Sequence, residues 1–481
     1  MNDLISKTKP YLPAVVFGLL MISPLILTGL PIKKYTRLNE ILLIVIVIAT
    51  LANYLIKNKK LVFMKIEILI LSIGISLTVS NFYGYLFLDV PLGWIDFYQV
   101  FNILLFACYF RLGTFFDYGK IRDSVLIMLA LFILCLNLLS ISQLFPWGYH
   151  NIFPLYMPAG MIKSSGYEMV FLGQGTIGRI VGTLSSPTSF SIIMVIVVLL
   201  LAGWILYVPI TKTANRILLN LLLIFSVFVL LMTYSRSGQV AFFISLLFFL
   251  SVAHFIDKKK IFGMALSIIL AYLLFYSLQT SPGKIALAIP TDALRGYRTE
   301  HIFTAQEEGS YKIVKKIPAT TGGKLPAATE VKISDLTNRF VLWEMGLKKV
   351  MISPILGWGI GNTSALEARR LGLDETVRGF YGSHNEYVEL TIQTGLLGLI
   401  LIISFFVLVF RKANQIVKTY CAGFKHYIAR SVQAIIIALA VFSLFDGFWN
   451  NNIIPPILMM IFGSMYANDK TSFSQEQGTS R

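Results

Sequence analysis

His384 is one of only five histidines in 481 residues. It lies in Ser383-His384-Asn385-Glu386-Tyr387, where a long polar loop gives way to an apolar segment. An imidazole at a boundary between water and hydrocarbon can take up or release a proton near neutral pH, and ionisable groups at membrane-helix mouths point to function. Nine residues separate Asn385 from Gly395-Leu396-Leu397-Gly398, whose paired glycines predict a helix that packs closely on a neighbour. Three arginines join the histidine as candidates. Arg236 lies in Tyr234-Ser235-Arg236-Ser237-Gly238, a very short turn between two apolar runs, so its guanidinium must stay near the membrane surface. A planar fork of donors there suits a diphosphate, whose oxygens it bonds two at a time. Arg339 opens a segment with helical spacing, and Arg179 lies in Gly178-Arg179-Ile180-Val181-Gly182-Thr183. Each has a plainer reading. Arg236 can snorkel to an interface, Arg339 can be a helix-surface charge, Arg179 can hold its own loop, and His384 can bond a nearby carbonyl at a helix start.

The elements that must position these residues are membrane spans. Hydrophobic residues make up 56% of the chain and charged residues 14%, which is not the composition of a soluble domain. Twelve apolar runs are long enough to cross a bilayer core of about 30 Å: near 12–30, 41–56, 66–84, 92–110, 124–145, 188–208, 217–234, 238–255, 261–278, 387–410, 431–448 and 452–467. The first is too long, and lacks the small-residue cleavage site, to read as a removed signal peptide. The pattern predicts an all-α polytopic membrane protein.

A net charge of +17 could point to nucleic acid, but its distribution does not. The basic residues gather in alternate short loops: Lys57, Lys59, Lys60 and Lys65; Arg111, Lys120 and Arg122; Lys212 and Arg216; Lys258 to Lys260; and Arg411 through Arg430. That bias sets cytoplasmic termini and makes the bilayer, not nucleic acid, the partner. Lys33, Lys34 and Arg37 run against it. Cys108, Cys135 and Cys421 are placed in two spans and a cytoplasmic loop, so a disulfide framework is not expected.

This topology divides the chain into spans one to nine within 1–278, with an outer loop at 146–187, a large outer loop at 279–386, spans ten to twelve within 387–467, and a cytoplasmic tail at 468–481. Within the large loop, Phe340, Leu342, Trp343, Met345, Leu347 and Val350 follow helical spacing behind Asp335, a suitable N-cap. Ser353-Pro354 and Gly357-Trp358-Gly359-Ile360-Gly361-Asn362 should stop that helix in a tight glycine turn. Other chemistries lack their motifs. There is no Walker-type loop for an ATPase. His150, His301 and His384 show no zinc spacing. Asp89 and Asp96 do not make the aspartate pair of a metal-dependent transferase, and Ser235 and Ser237 have no partner base in sequence. Asp446 and Asn450 to Asn452 at the last outer loop suit capping or hydration of a cavity mouth.

Taken together, the motifs resemble the O-antigen ligase and polymerase superfamily of bacterial envelope glycosyltransferases. The carriers are Arg179, Gly182 and Ser186-Pro187; Tyr234 through Gly238; Arg339 through Trp343; Ser353-Pro354 and the glycine turn ending at Asn362; and His384-Asn385 followed by Gly395 through Gly398. They run from about 179 to 398 in the family's order, while the first 150 residues match only as hydrophobic spans. The resemblance implies a GT-C-like bundle that moves a glycan from undecaprenyl diphosphate to an acceptor glycolipid or glycan hydroxyl. The reaction would occur on the outer face of the inner membrane, without metal, nucleotide or other cofactor. It implies that Arg236 and Arg339 hold the diphosphate and that His384 takes the acceptor proton or orients the diphosphate. Arg179, Asn385, Trp343, Gly359 and Asn362 are implied substrate contacts. Ligase, repeat-unit polymerase and protein-directed relative all share these motifs; the ligase is favoured by its complete histidine motif. A lipid-linked oligosaccharide transporter is the alternative of another class. Against it, the conspicuous charges gather at one face and the mid-span residues are almost wholly apolar.

Overall fold

The computed structural model describes residues 31–33, 36–37, 63–88, 90, 92, 94–114, 118–142, 168–170, 176–178, 180, 187–252, 257–280, 305–306, 310–311, 343, 346–359, 385–420, 423–449 and 454–467. The expected first two spans lie outside them, as do Arg179, Arg339, Asn362, His384, Asp335 and Cys421. Within them, ten helices of eleven residues or more form the bundle: α1 (Lys65–Phe87), α2 (Trp94–Gly113), α3 (Tyr118–Ser142), α4 (Pro187–Tyr207), α5 (Thr213–Met232), α6 (Arg236–Ser251), α7 (Lys258–Thr280), α8 (Glu386–Thr419), α9 (Phe424–Phe442) and α10 (Ile454–Ser464). Seven of these regions are long and apolar enough to span a membrane, and those in α2, α6 and α10 form shorter apolar helices. Three antiparallel hairpins of two- and three-residue strands lie in the connections, pairing Pro31–Lys33 with Thr36–Arg37, Glu168–Val170 with Thr176–Gly178, and Ala305–Gln306 with Ser310–Tyr311. The second and third fall in the two expected outer loops.

α4 organises the packing. It is apolar around its whole circumference and buried along nearly its entire length, as expected of a helix with no polar face to turn outward. It packs on α5, α6, α7 and α9. A second layer runs α10–α2–α1–α8, and α8 lies against α9, which closes the bundle. Peripheral α7 instead shows Phe262, Ile269, Leu273 and Tyr276 to the outside, the pattern of a lipid-facing surface. Polar bonds join helices within the bundle. The Asn137 amide donates to Ser226 Oγ (2.9 Å) between α3 and α5, and Ser267 Oγ donates to Asn220 Oδ1 (3.1 Å) between α7 and α5.

The bundle has two chemically different ends. α4, α6 and α8 begin at one, here called the mouth, where α5 and α9 finish. The opposite end, the base, is basic. There the Arg111 guanidinium pairs with the buried Glu67 carboxylate (2.5 Å). Lys260 Nζ donates to Leu206 O at the end of α4 (3.1 Å), and Lys425 Nζ to Ala467 O (3.1 Å). Such lysines satisfy carbonyls that a helix terminus leaves without amide partners. Cys108 and Cys135 are free thiols.

Candidate functional site

The Arg236 turn takes three residues, Thr233 to Ser235, and its geometry is determined by hydroxyls. Tyr234 adopts a left-handed backbone (φ 50°), a conformation uncommon for any residue but glycine. Thr233 Oγ1 accepts from Ser235 N (3.2 Å) and donates to Leu230 O (2.7 Å), closing the end of α5. Ser235 then caps α6, accepting from Gly238 N (3.2 Å), and takes a second bond from Ser191 Oγ of α4 (2.9 Å). Ser237 Oγ lies 3.1 Å from Ser235 Oγ. The alternation Ser-Arg-Ser thus turns both serines into the protein and leaves Arg236 exposed at the first residue of α6. The N-terminus of a helix favours an anion, and Arg236 adds a full positive charge to it. The 179–180 segment comes to the same turn: the fully buried Ile180 donates its amide to Met232 O (3.1 Å). That bond ties the residue next to Arg179 to the end of α5.

Across the mouth, α8 begins with Asn385 as its cap, the side-chain oxygen accepting from Tyr387 N (3.0 Å) and Val388 N (3.2 Å). The expected substrate contact Asn385 therefore also starts the helix that follows His384. Glu386 behind it is buried. Its amide donates to Ser443 O at the end of α9 (2.8 Å), and its Oε2 accepts from Phe448 N (2.6 Å) and Trp449 N (3.4 Å). A side chain at Gly447 would meet that same oxygen at 2.6 Å. Tyr387 adds a bond from its hydroxyl to Ala440 O (2.9 Å). The mouth of α8 is thus tied to the last turn of α9 and the loop beyond. Sequence reading quoted Glu386 without giving it a role; the one available signal was a carboxylate opening an otherwise apolar segment.

The glycine motifs do something different from the close helix packing expected of them. α8 breaks at Gly395 (φ 65°, ψ −174°), about 14 Å along from its start. A continuous helix would bond Leu396 N to Ile392 O and Leu397 N to Gln393 O. Here the turn at 354–359 takes both places: Trp358 N donates to Ile392 O (2.7 Å) and Gly359 N to Gln393 O (2.9 Å), while Pro354 O and Ile355 O accept from Leu396 N (2.8 Å) and Leu397 N (3.3 Å). Two internal bonds become four bonds to a loop. Irregular backbone at membrane depth persists only where protein satisfies it, and this exchange does so. Gly395 is required twice, by its backbone angles and because any Cβ there would collide with Ile355 O. Gly357, also left-handed at φ 73°, turns the loop back.

The approach to this turn is built as expected. Residues 346–352 are helical, and the helix stops at Ser353, whose Oγ donates to Gly357 O (2.9 Å). Trp358 Nε1 donates to Lys349 O (2.9 Å), and the indole is buried beside Val90 and Ile392. The expected contact Gly359 is buried against Asn81 of α1. Trp343 is half-buried three residues before Gly346, which faces Val388 and Ile392 of α8. Arg236 and Ile180 are thus joined to the α5–α6 turn, and Trp343, Asn385 and the glycine turn to α8 and its approach; α6 and α8 each pack on α9.

Bundle and mouth together describe a polytopic helical membrane protein. The family model described as O-antigen ligase matches residues 221–403, from within α5 to beyond the break in α8, and supports the resemblance read from the sequence. That region encloses Arg236, Arg339, Trp343, Gly359, Asn362, His384 and Asn385; Arg179 precedes it. No curated protein matches the chain.

Proposed function

We propose that this protein transfers a glycan from undecaprenyl diphosphate to an acceptor sugar hydroxyl at the outer face of the cytoplasmic membrane, as an O-antigen ligase does. The observation that carries this reading is Arg236. It stands exposed at the first residue of α6, on a turn locked by buried serines, inside the O-antigen ligase region. In this reading Arg236, with Arg339, binds the diphosphate and stabilises the charge that builds on it as it leaves. The acceptor oxygen bonds to the anomeric carbon as the bond from that carbon to the diphosphate oxygen breaks. The acceptor proton passes to His384, and undecaprenyl diphosphate departs. A single displacement inverts the anomeric centre. Asn385 and Glu386 fix the start of α8 and thereby the residue before it, while Trp343, Gly359, Asn362 and Arg179 shape the ground around donor and acceptor.

The test is turnover by the purified protein of an undecaprenyl-diphosphate glycan, with no nucleotide or divalent metal, offered a lipid A core acceptor and a second repeat unit in separate reactions. Product on the core supports the ligase reading; elongation of the repeat unit alone replaces it with a polymerase. Movement of the donor across a vesicle without transfer would make the protein a transporter.

A further inference from the structure

Two grooves flank α8, and they share one ridge in its basal half. The first runs between α8 and α9, with a volume of about 390 Å³, and the second between α8 and α1, with about 440 Å³. Ile403, Val407 and Arg411 line both. Spaced four residues apart, they stand above one another on a single face of the helix. The second groove ends at its base in a further cation, Lys65. Among the described residues neither Lys65 nor Arg411 forms an ion pair, since the nearby carboxylate of Glu67 is buried and held by Arg111. Lys57, Lys59 and Lys60 precede Lys65 in the sequence.

We propose that this ridge binds one anionic phospholipid of the surrounding bilayer, its headgroup phosphate between Lys65 and Arg411 and one acyl chain in each groove. Three features select that occupant. A pair of cations at the foot of apolar walls complements an anionic headgroup with hydrocarbon attached, and basic side chains at a membrane surface attract such lipids. Two grooves meeting at one arginine match two chains meeting at one glycerol. The first groove runs from Arg411 past Leu399 to Glu386 at the mouth, about 38 Å along the helix, so only its basal part, from Arg411 to Leu399, corresponds to the depth of one leaflet, about 15 Å, and takes the acyl chain. The headgroup position lies at the base, while the first groove continues to Glu386 and Tyr387 at the mouth.

The full-length protein, purified in a neutral detergent and incubated with equal amounts of phosphatidylglycerol and phosphatidylcholine, tests this by native mass spectrometry. One phosphatidylglycerol should be retained in preference to phosphatidylcholine. The double variant Lys65→Gln/Arg411→Gln should hold it about 30-fold more weakly, the effect of two surface cations. Val407→Trp, which fills both grooves and leaves the charges intact, should also release it. Equal retention of the two lipids overturns the proposal, as does full retention by the double variant. If inorganic phosphate displaces the lipid from the wild type while Val407→Trp binds normally, the cations form a simple anion site and the two-groove assignment is wrong.

Discussion

Gly395→Ala is the substitution that most directly probes how the mouth is built. A backbone at φ 65° and ψ −174° is nearly reserved for glycine, so alanine there is strained by about 1–3 kcal/mol, before its Cβ meets Ile355 O. The chain can relieve this by running α8 straight through. It then regains two helical bonds and loses the four to Pro354, Ile355, Trp358 and Gly359, a net loss of two. At about 0.5–1.5 kcal/mol each, that is about 1–3 kcal/mol. Both routes cost about 1–3 kcal/mol, and both loosen the same loop. Local opening of that size raises amide exchange about 5- to 150-fold. Hydrogen–deuterium exchange of a peptide covering 354–359 should show the Trp358 and Gly359 amides losing protection by this factor, with α4 unchanged. If those two amides exchange as slowly in the alanine variant as in wild type, the exchange of bonds between helix and loop does not hold the mouth together.

Four further outcomes are expected. Arg236→Lys should lose most glycan transfer at normal expression, since it keeps the charge and loses the two-pronged donor geometry, and Arg236→Ala and Arg339→Ala should be worse than Arg179→Ala; transfer near wild type by Arg236→Ala would leave the snorkelling role standing. If neutral His384 accepts the proton, activity at saturating donor should fall as pH drops through its pKa, from an unperturbed value of about 6.5, and His384→Ala should lose about 10²- to 10⁴-fold; an active His384→Gln removes it from proton transfer. Glu386→Leu leaves the Phe448 and Trp449 amides without their acceptor, so it should lower the midpoint of thermal unfolding well below that of Glu386→Gln, which keeps one carbonyl; equal midpoints would mean the carboxylate does not secure that loop. Cysteines introduced as Thr321→Cys and Lys259→Cys should label from opposite sides of the membrane, and labelling of both from outside would reverse the assignment of mouth and base.

The helices were legible because lipid imposes a length. The runs at 188–208, 217–234 and 261–278 became Pro187–Tyr207, Thr213–Met232 and Lys258–Thr280. Where the helix outlasts the apolar run, the reading stopped early: α8 continues to Thr419 through a basic stretch that leaves the hydrocarbon. The short serine-lined turn at Arg236 was also legible, because its spacing is local. The joining of 354–359 to the break at Gly395 was not. Both glycine motifs were visible, but which backbone groups they exchange depends on partners 34 or more residues apart in the chain. Glu386 escaped for the same reason: its donors, Phe448 and Trp449, come from the far side of α9.

The four bonds between loop and α8 also bear on how proteins of this kind diversify. They anchor the C-terminal part of the large loop, while α7 fixes its start at Thr280. An insertion between these two anchors carries little thermodynamic cost, because doubling the length of a tether adds only about 0.6 kcal/mol to its closure. The stretch at 281–338, which stops short of Arg339, can therefore be exchanged as a cassette without resetting the start of α8. Acceptor preference would then evolve, or be engineered, by grafting between fixed ends while the donor side of the mouth stays constant.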